Sequence, residues 1–292
     1  MCTVLCGSCS TPTSTRYNFL SVYEYFIRSA RANLRFDFIF QALTGGQKPP
    51  QLVKLAATRW LAWYGAVKSH LAPYSELYAL FKKVSEADRR KDYPMAHTLT
   101  ELHSDKSNLL FLTFLKPVLR ELTSTNVVFQ SSIADVSKVY KDLRDFVFTM
   151  AKRVIKPEAL RQSQPGMLRL TELGALKSAL QNRDSFKALS LIAYGEYFWK
   201  TVAEVKLSDK KLKEVQTACA DFLVKFLHEL CGRLPSCIEA VQKMCAFTLA
   251  VALAVRGRPE FKDLPLDLVR KFWRLYLNII LFQQISDQIV YR

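Results

Sequence analysis

The sequence predicts a mainly α protein folded as a helical bundle, and three observations carry that expectation. Apolar side chains recur at three- and four-residue steps through nearly every strongly patterned stretch, which places them on one face of a helix. Hydrophobic residues make up 50% of the 292 positions, enough for one large core or two modest ones and too many for a disordered chain. A single short apolar run, Leu52, Val53, Leu55 and Ala56, reads as a strand.

Residues 17–43 open the pattern. Aromatic and aliphatic residues at helical spacing, with Arg28, Arg31 and Arg35 interspersed, describe one amphipathic helix that Gly45 and Gly46 end. Residues 47–50 turn into the strand. From Trp60 onward every strong pattern is helical. Residues 60–87 form a helix with a break at Pro73, and residues 94–102 form a short one. Residues 105–129 follow, with Asp105 as N-cap and a kink at Pro117. Ile133, Val136, Tyr140, Leu143, Val147 and Met150 then step along one face, with Lys138, Lys141, Asp142 and Arg144 on the others.

The Pro- and Gly-bearing stretch 156–166 reads as an internal linker. Ser208 caps a helix carrying Leu212, Val215, Cys219, Phe222, Phe226 and Leu230, which Gly232 and Pro235 close. Ser236 and Glu239 make a capping box for the next helix, which runs to Val255, and Pro265 opens a terminal helix with Phe272, Trp273, Tyr276 and Ile279. Helix pairs recur without a fixed repeat length, which favours a globular bundle over a solenoid; a divergent HEAT-like array is the alternative.

Lys and Arg outnumber Asp and Glu by 42 to 26, a net charge of +16. Residues 1–120 hold 16 basic and 8 acidic side chains, so the excess is divided evenly (+8 and +8) between them and the rest, and no single basic tail carries it. Such an excess suits either solvated helix faces or a surface that meets a polyanion. The seven cysteines, an odd number with no signal-peptide pattern at the start, indicate reduced thiols inside a cell. Cys219, Cys231, Cys237 and Cys245 read as small buried hydrophobes. Cys6 and Cys9 have a zinc-knuckle spacing but no second pair at finger distance, so no metal site is expected. The longest apolar stretch, 244–255, is too short for a bilayer, so no membrane partner is expected.

His70, His97, His103 and His228 are the other candidates for chemistry. Only His97 has an acid at ligand spacing, Glu101, and one His–Glu pair does not make a metal site. There is no Gly-rich phosphate loop, no zinc-protease motif and no nucleophile elbow. No cofactor is expected.

Thr58-Arg59-Trp60, followed by Leu61-Ala62-Trp63 and a long amphipathic pattern, is the most specific local feature. Upstream stand Tyr23, Phe26, Ser29, Arg31 and Phe36. Downstream come Phe111-Leu112, residues 115–119, Leu122, Asn126, residues 129–131 and residues 139–143, with weaker echoes in Tyr194-Gly195 and residues 207–235. Together these resemble hAT-superfamily DNA transposases at the junction where a Thr-Arg-Trp closes the RNase H-like catalytic core and opens a large helical insertion. The resemblance implies three parts: a truncated core remnant of helix plus strand at 1–58, a helical insertion-type domain at 59–262 containing the linker at 156–166, and a C-terminal helix at 263–292.

An active member of that family holds two metal ions with an acidic triad, two of whose acids precede the Thr-Arg-Trp. Here only Glu24 and Asp37 precede it, both within a predicted helix, and none of Glu260, Asp263 and Asp267 is singled out as the third. The triad cannot be assembled from this chain, so it is not expected to be an enzyme. The resemblance implies a nuclear, non-catalytic protein or fragment, possessing a basic helical surface for DNA, or a protein-interaction scaffold from a domesticated transposon that binds other proteins or itself. Its candidate nucleic-acid residues are Arg59, which can reach a phosphate, and Trp60, which in the family stacks on a displaced base.

Packing and stacking make opposite demands on Trp60, and packing is the expected role. Trp60→Ala should then cost about 3–5 kcal/mol of stability in thermal or urea unfolding. An unchanged melting temperature together with lost binding of hairpin DNA would assign the residue to bases instead.

Overall fold

The computed structural model describes residue 22 and residues 25–26, 30–52, 60–87, 93–130, 136–160 and 170–244. Among these the chain is mainly α, with 85% of residues helical and no strand. The nine described helices are α1 (Ala30–Thr44), α2 (Trp60–Leu71), α3 (Tyr74–Ala87), α4 (Tyr93–Ser104), α5 (Lys106–Gln130), α6 (Val136–Val154), α7 (Leu170–Gln181), α8 (Glu196–Val205) and α9 (Asp209–Met244). Val22, Tyr25 and Phe26 are helical as well. Of the expected strand, Gln51 and Leu52 are irregular and the rest lies outside the described residues, as does the terminal helix expected after Pro265.

Several boundaries fall where local chemistry dictates. Pro73 separates α2 from α3: it has no N–H for a helical bond, while its carbonyl accepts from the Leu77 N–H at 2.8 Å and so starts the next helix. The Asp105 carboxylate accepts from the Ser107 N–H at 3.1 Å, which caps α5 as its sequence position predicts. Ser208 opens α9, its carbonyl accepting from the Leu212 N–H at 2.9 Å. Pro117 lies within α5, which continues on both sides of it.

One expectation is corrected. Gly232 and Pro235 do not close the helix that starts near Ser208; α9 continues through them to Met244, and Ser236 and Glu239 are interior to it rather than a capping box. Leu227, Leu230, Cys231 and Leu234 form a buried stripe that spans Gly232 and reaches the residue before Pro235. Helical Gly costs about 1 kcal/mol and Pro about 3 kcal/mol, and burial of this stripe, at about 1.5–3 kcal/mol for each large apolar side chain, outweighs them. Arg144, which its spacing sets off the apolar stripe of α6, is nonetheless removed from solvent. It is buried, with Nη2 donating to Glu172 Oε1 at 2.8 Å and Nε to Oε2 at 3.2 Å, and its guanidinium lies over the Phe148 ring. This two-pronged pair ties α6 to α7, and Glu172 is itself only 3% exposed.

The helices enclose two cores. The smaller joins α1, α3 and α4 through Phe36, Phe40, Leu77, Leu80, Phe81 and Leu99, together with Tyr25 and Phe26. The larger surrounds α5, against which α2, α6, α8 and α9 all pack. Phe114 and Phe111 of α5 meet Phe222 of α9 at 6.3 and 6.4 Å, and Phe226 stacks beyond it. The last carbonyls of α6 are closed by residues 183–193: the Lys187 N–H donates to Val154, the Ala193 N–H to Arg153 and the Lys187 ammonium to Lys152.

Removing Glu172 takes from the buried Arg144 its two-pronged partner and leaves the exposed Asp145, 4.0 Å away, beside the guanidinium. Glu172→Ala is expected to cost about 3–5 kcal/mol in urea unfolding, whereas a double replacement by apolar residues of similar volume should recover most of that. A single variant within 1 kcal/mol of the wild type, on the order of ordinary surface changes, would show that the pair does not hold α7.

Candidate nucleic-acid interface

Of the two sequence-predicted site residues, Arg59 lies outside the described residues. Trp60 opens α2, but its side chain is likewise outside them. The helix it begins packs against α5, with Ala66 and Val67 buried and Trp63 and Tyr64 half-buried against the larger core. The structure therefore sets the start of α2, from Trp63 on, against that core.

The basic excess divides between structural and solvent-facing positions. At the end of α6, the Lys156 ammonium donates to the Asp184 carbonyl at 2.8 Å, and Lys187 closes the Lys152 carbonyl at 2.6 Å. Arg153 pairs with Glu121 at 2.6 Å. These cations complement the negative end of the α6 dipole and have partners of their own. The start of α9 is different. Lys206, Lys210, Lys211 and Lys213 are all exposed there, beside Asp209 and Glu214, and among the described residues only Lys211 reaches a carboxylate, Asp105 at 3.6 Å. Lys206 holds a left-handed conformation (φ 50°) that ends α8, so the chain turns sharply and delivers the lysines to the N-terminal end of α9. Lys210 and Lys213 are three apart and share a face.

Between the two basic regions runs α8, about 15 Å long at the usual helical rise. Its Phe198 is buried, stacked on Tyr194 at 4.6 Å, while Tyr197 and Trp199 flank it and are exposed. Glu196 and Glu204 on the same helix oppose Lys200, so α8 itself carries no positive excess.

The histidines give a result that spacing could not foresee. His70 of α2 and His103 of α4 are brought together, ring centroids 5.1 Å apart, and Tyr74 and Phe81 close around His103 at 4.9 and 5.1 Å. His103 Nδ1 lies 2.8 Å from the Leu99 carbonyl; a carbonyl only accepts, so the ring proton sits on Nδ1. Its Nε2 is buried without a hydrogen-bond partner. Burial pushes His103 down to about 4, with nearby Lys106 adding to the effect, and burial with His103 beside it holds His70 well below its usual value. Two neutral imidazoles in an aromatic setting are a packing device. Among the described residues no group of three or more His, Cys, Asp or Glu is placed to hold a metal ion. His97 and Glu101 form an exposed pair at 3.6 Å on α4.

Asp37 is half-buried on α1; Glu24, Glu260, Asp263 and Asp267 lie outside the described residues. Cys219 and Cys231 are buried thiols, raised by that burial, Cys231 to about 11, and behave as small hydrophobes. No helix among the described residues is long and apolar enough to cross a membrane. No known family model, curated protein or solved structure matches this chain.

The His103 environment generates a pH dependence. Its folded value lies below the ordinary 6.5, so between those values the unfolded chain binds a proton that the folded chain refuses. Stability is therefore complete above about pH 6.5 and falls as pH drops toward about 4, by on the order of 3 kcal/mol for this group. His103→Phe, which keeps a ring against Tyr74 and Phe81, should flatten that part of the profile in urea unfolding across the range. A slope equal to that of the wild type would remove His103 from the account.

Proposed function

We propose that this chain is a non-catalytic hAT transposase-like protein or fragment, nuclear in location, that binds nucleic acid through a basic helical surface. The observation that carries the reading is the cluster of exposed lysines at the start of α9: Lys206, Lys210, Lys211 and Lys213. The N-terminal end of a helix is already positive, and cations there cost about 0.3–1 kcal/mol each rather than stabilising. Lysines concentrated at that end raise the local potential and suit a phosphate backbone, which also accepts hydrogen bonds from the free N–H groups of a first helical turn. Without a groove-reading module the binding is sequence-tolerant, and phosphate contacts supply nearly all of it. A second reading, a protein-interaction scaffold from a domesticated transposon, is favoured by Leu34 and Phe38, which stand 70% and 69% exposed on α1.

Fluorescence anisotropy with single-stranded and duplex oligonucleotides at several salt concentrations tests the nucleic-acid reading. Affinity should fall steeply with salt, with a log-log slope of about 0.7–0.9 for each phosphate neutralised. Lys210→Glu with Lys213→Glu should weaken binding to every sequence alike and reduce the slope, while the melting temperature holds or rises slightly, because carboxylates suit a helix N-terminus. Undetectable binding at low salt, or affinity indifferent to both salt and the double reversal, would defeat it.

A further inference from the structure

Helix α1 is apolar on two sides. Ala32, Phe36 and Phe40 face the smaller core, while Leu34 and Phe38, four apart and therefore one above the other, lie close to the opposite side and are exposed. A helix that needs only one buried face does not place a Leu and a Phe at successive turns of its outer face. Beside them runs a groove of about 430 Å³ between α1 and α3, which Leu34, Phe38, Leu80 and Val84 make apolar. Its two polar lining residues are both cations, Arg35 from α1 and Lys83 from α3, and no carboxylate lines it. Glu86, one turn beyond Lys83, is offset by the exposed Lys82.

We propose that this groove receives an amphipathic helix of a partner protein, one carrying large apolar residues at i, i+3 or i+4 and i+7 and acidic residues on its flanks. Apolar anchors from such a helix fit an open trough, and its volume lies in the usual range for binding pockets, about 300–1,000 Å³. The cations on the two walls select the sign of the flanks. They also argue against a second copy of this chain: a twofold contact through the same patch would bring Arg35 and Lys83 against their own counterparts, a like-charge juxtaposition that disfavours the pairing. Phosphates would meet only two cations above an apolar floor, so the groove is separate from the lysine-rich start of α9.

The test titrates the full chain into a fluorescein-labelled designed helix of about 18 residues with Leu and Phe at those positions and Glu on both flanks, beside the same peptide with Lys for Glu. The acidic peptide should bind at least about tenfold more tightly than the basic one. Leu34→Ser and Phe38→Ser should each weaken it by about tenfold or more without lowering the melting temperature, because both side chains are largely exposed. Arg35→Glu with Lys83→Glu should reverse the preference for flank charge. Equal binding of both peptides, binding of neither, or a wild-type chain that sediments as a dimer and that Phe38→Ser converts to monomer would each overturn the proposal, the last in favour of a second copy.

Discussion

Everything in the larger core follows from the burial of α5. Leu110, Phe111, Leu112, Phe114, Leu115, Val118 and Leu119 are almost completely buried, and these positions cover most of the circumference of the helix rather than one stripe. A helix apolar on so many sides is stable in water only when other helices surround it, which is why α2, α6, α8 and α9 all pack against it. The large rings then fix their places. Phe114 meets both Phe222 of α9 and Tyr194 of the segment before α8, so the long helix and the connection leading to it are held by one side chain.

This arrangement determines which charges remain available. With α6 packed on α5, its C-terminal end needs donors, and residues 183–193 supply them through two backbone N–H groups and the Lys187 ammonium. Tyr194 anchors that segment at its far end, its hydroxyl donating to the Leu189 carbonyl at 2.8 Å. Part of the basic excess is thus used to complete the fold. The lysines at the start of α9 have no comparable task, since a helix N-terminus lacks acceptors rather than donors, and the contrast between the two ends singles out one basic region among several.

Much of the helical layout was legible in the sequence because it rests on local rules. Pro73, Asp105 and Ser208 act on backbone groups within four residues of themselves, and the stripe from Leu143 to Met150 repeats at the helical period. The end of α9 was misread for a physical reason: Gly232 and Pro235 are local signals, and the burial that overrides them comes from other helices. The burial of Arg144 was not legible either, because its partner Glu172 is 28 residues away and periodicity says nothing of a contact at that distance. His70 and His103, 33 positions apart (103 − 70), meet only once α3 and α4 have folded back on each other. Of the candidate site, the Ser208 cap already placed Lys210, Lys211 and Lys213 at the start of a helix, but their exposure and scarcity of carboxylate partners needed the packed structure. Arg59 and Trp60 were named from resemblance, and their side chains fall outside the described residues.

A run of rings joins the two cores, and that makes the smaller one sensitive to its neighbours. Phe81 touches Tyr25 at 5.4 Å and Phe26 at 6.2 Å on one side and His103 at 5.1 Å on the other, while His103 in turn lies against His70 of α2. A charge placed on His103 would therefore be felt at both cores at once, with Phe81 as the shared contact. The smaller core has fewer buried side chains and leaves the outer face of α1 uncovered, so its local opening should cost less free energy than opening of the helices around α5. Anything that fills the groove between α1 and α3 adds buried apolar area at Leu34 and Phe38 of α1, since Leu80 and Val84 are already buried.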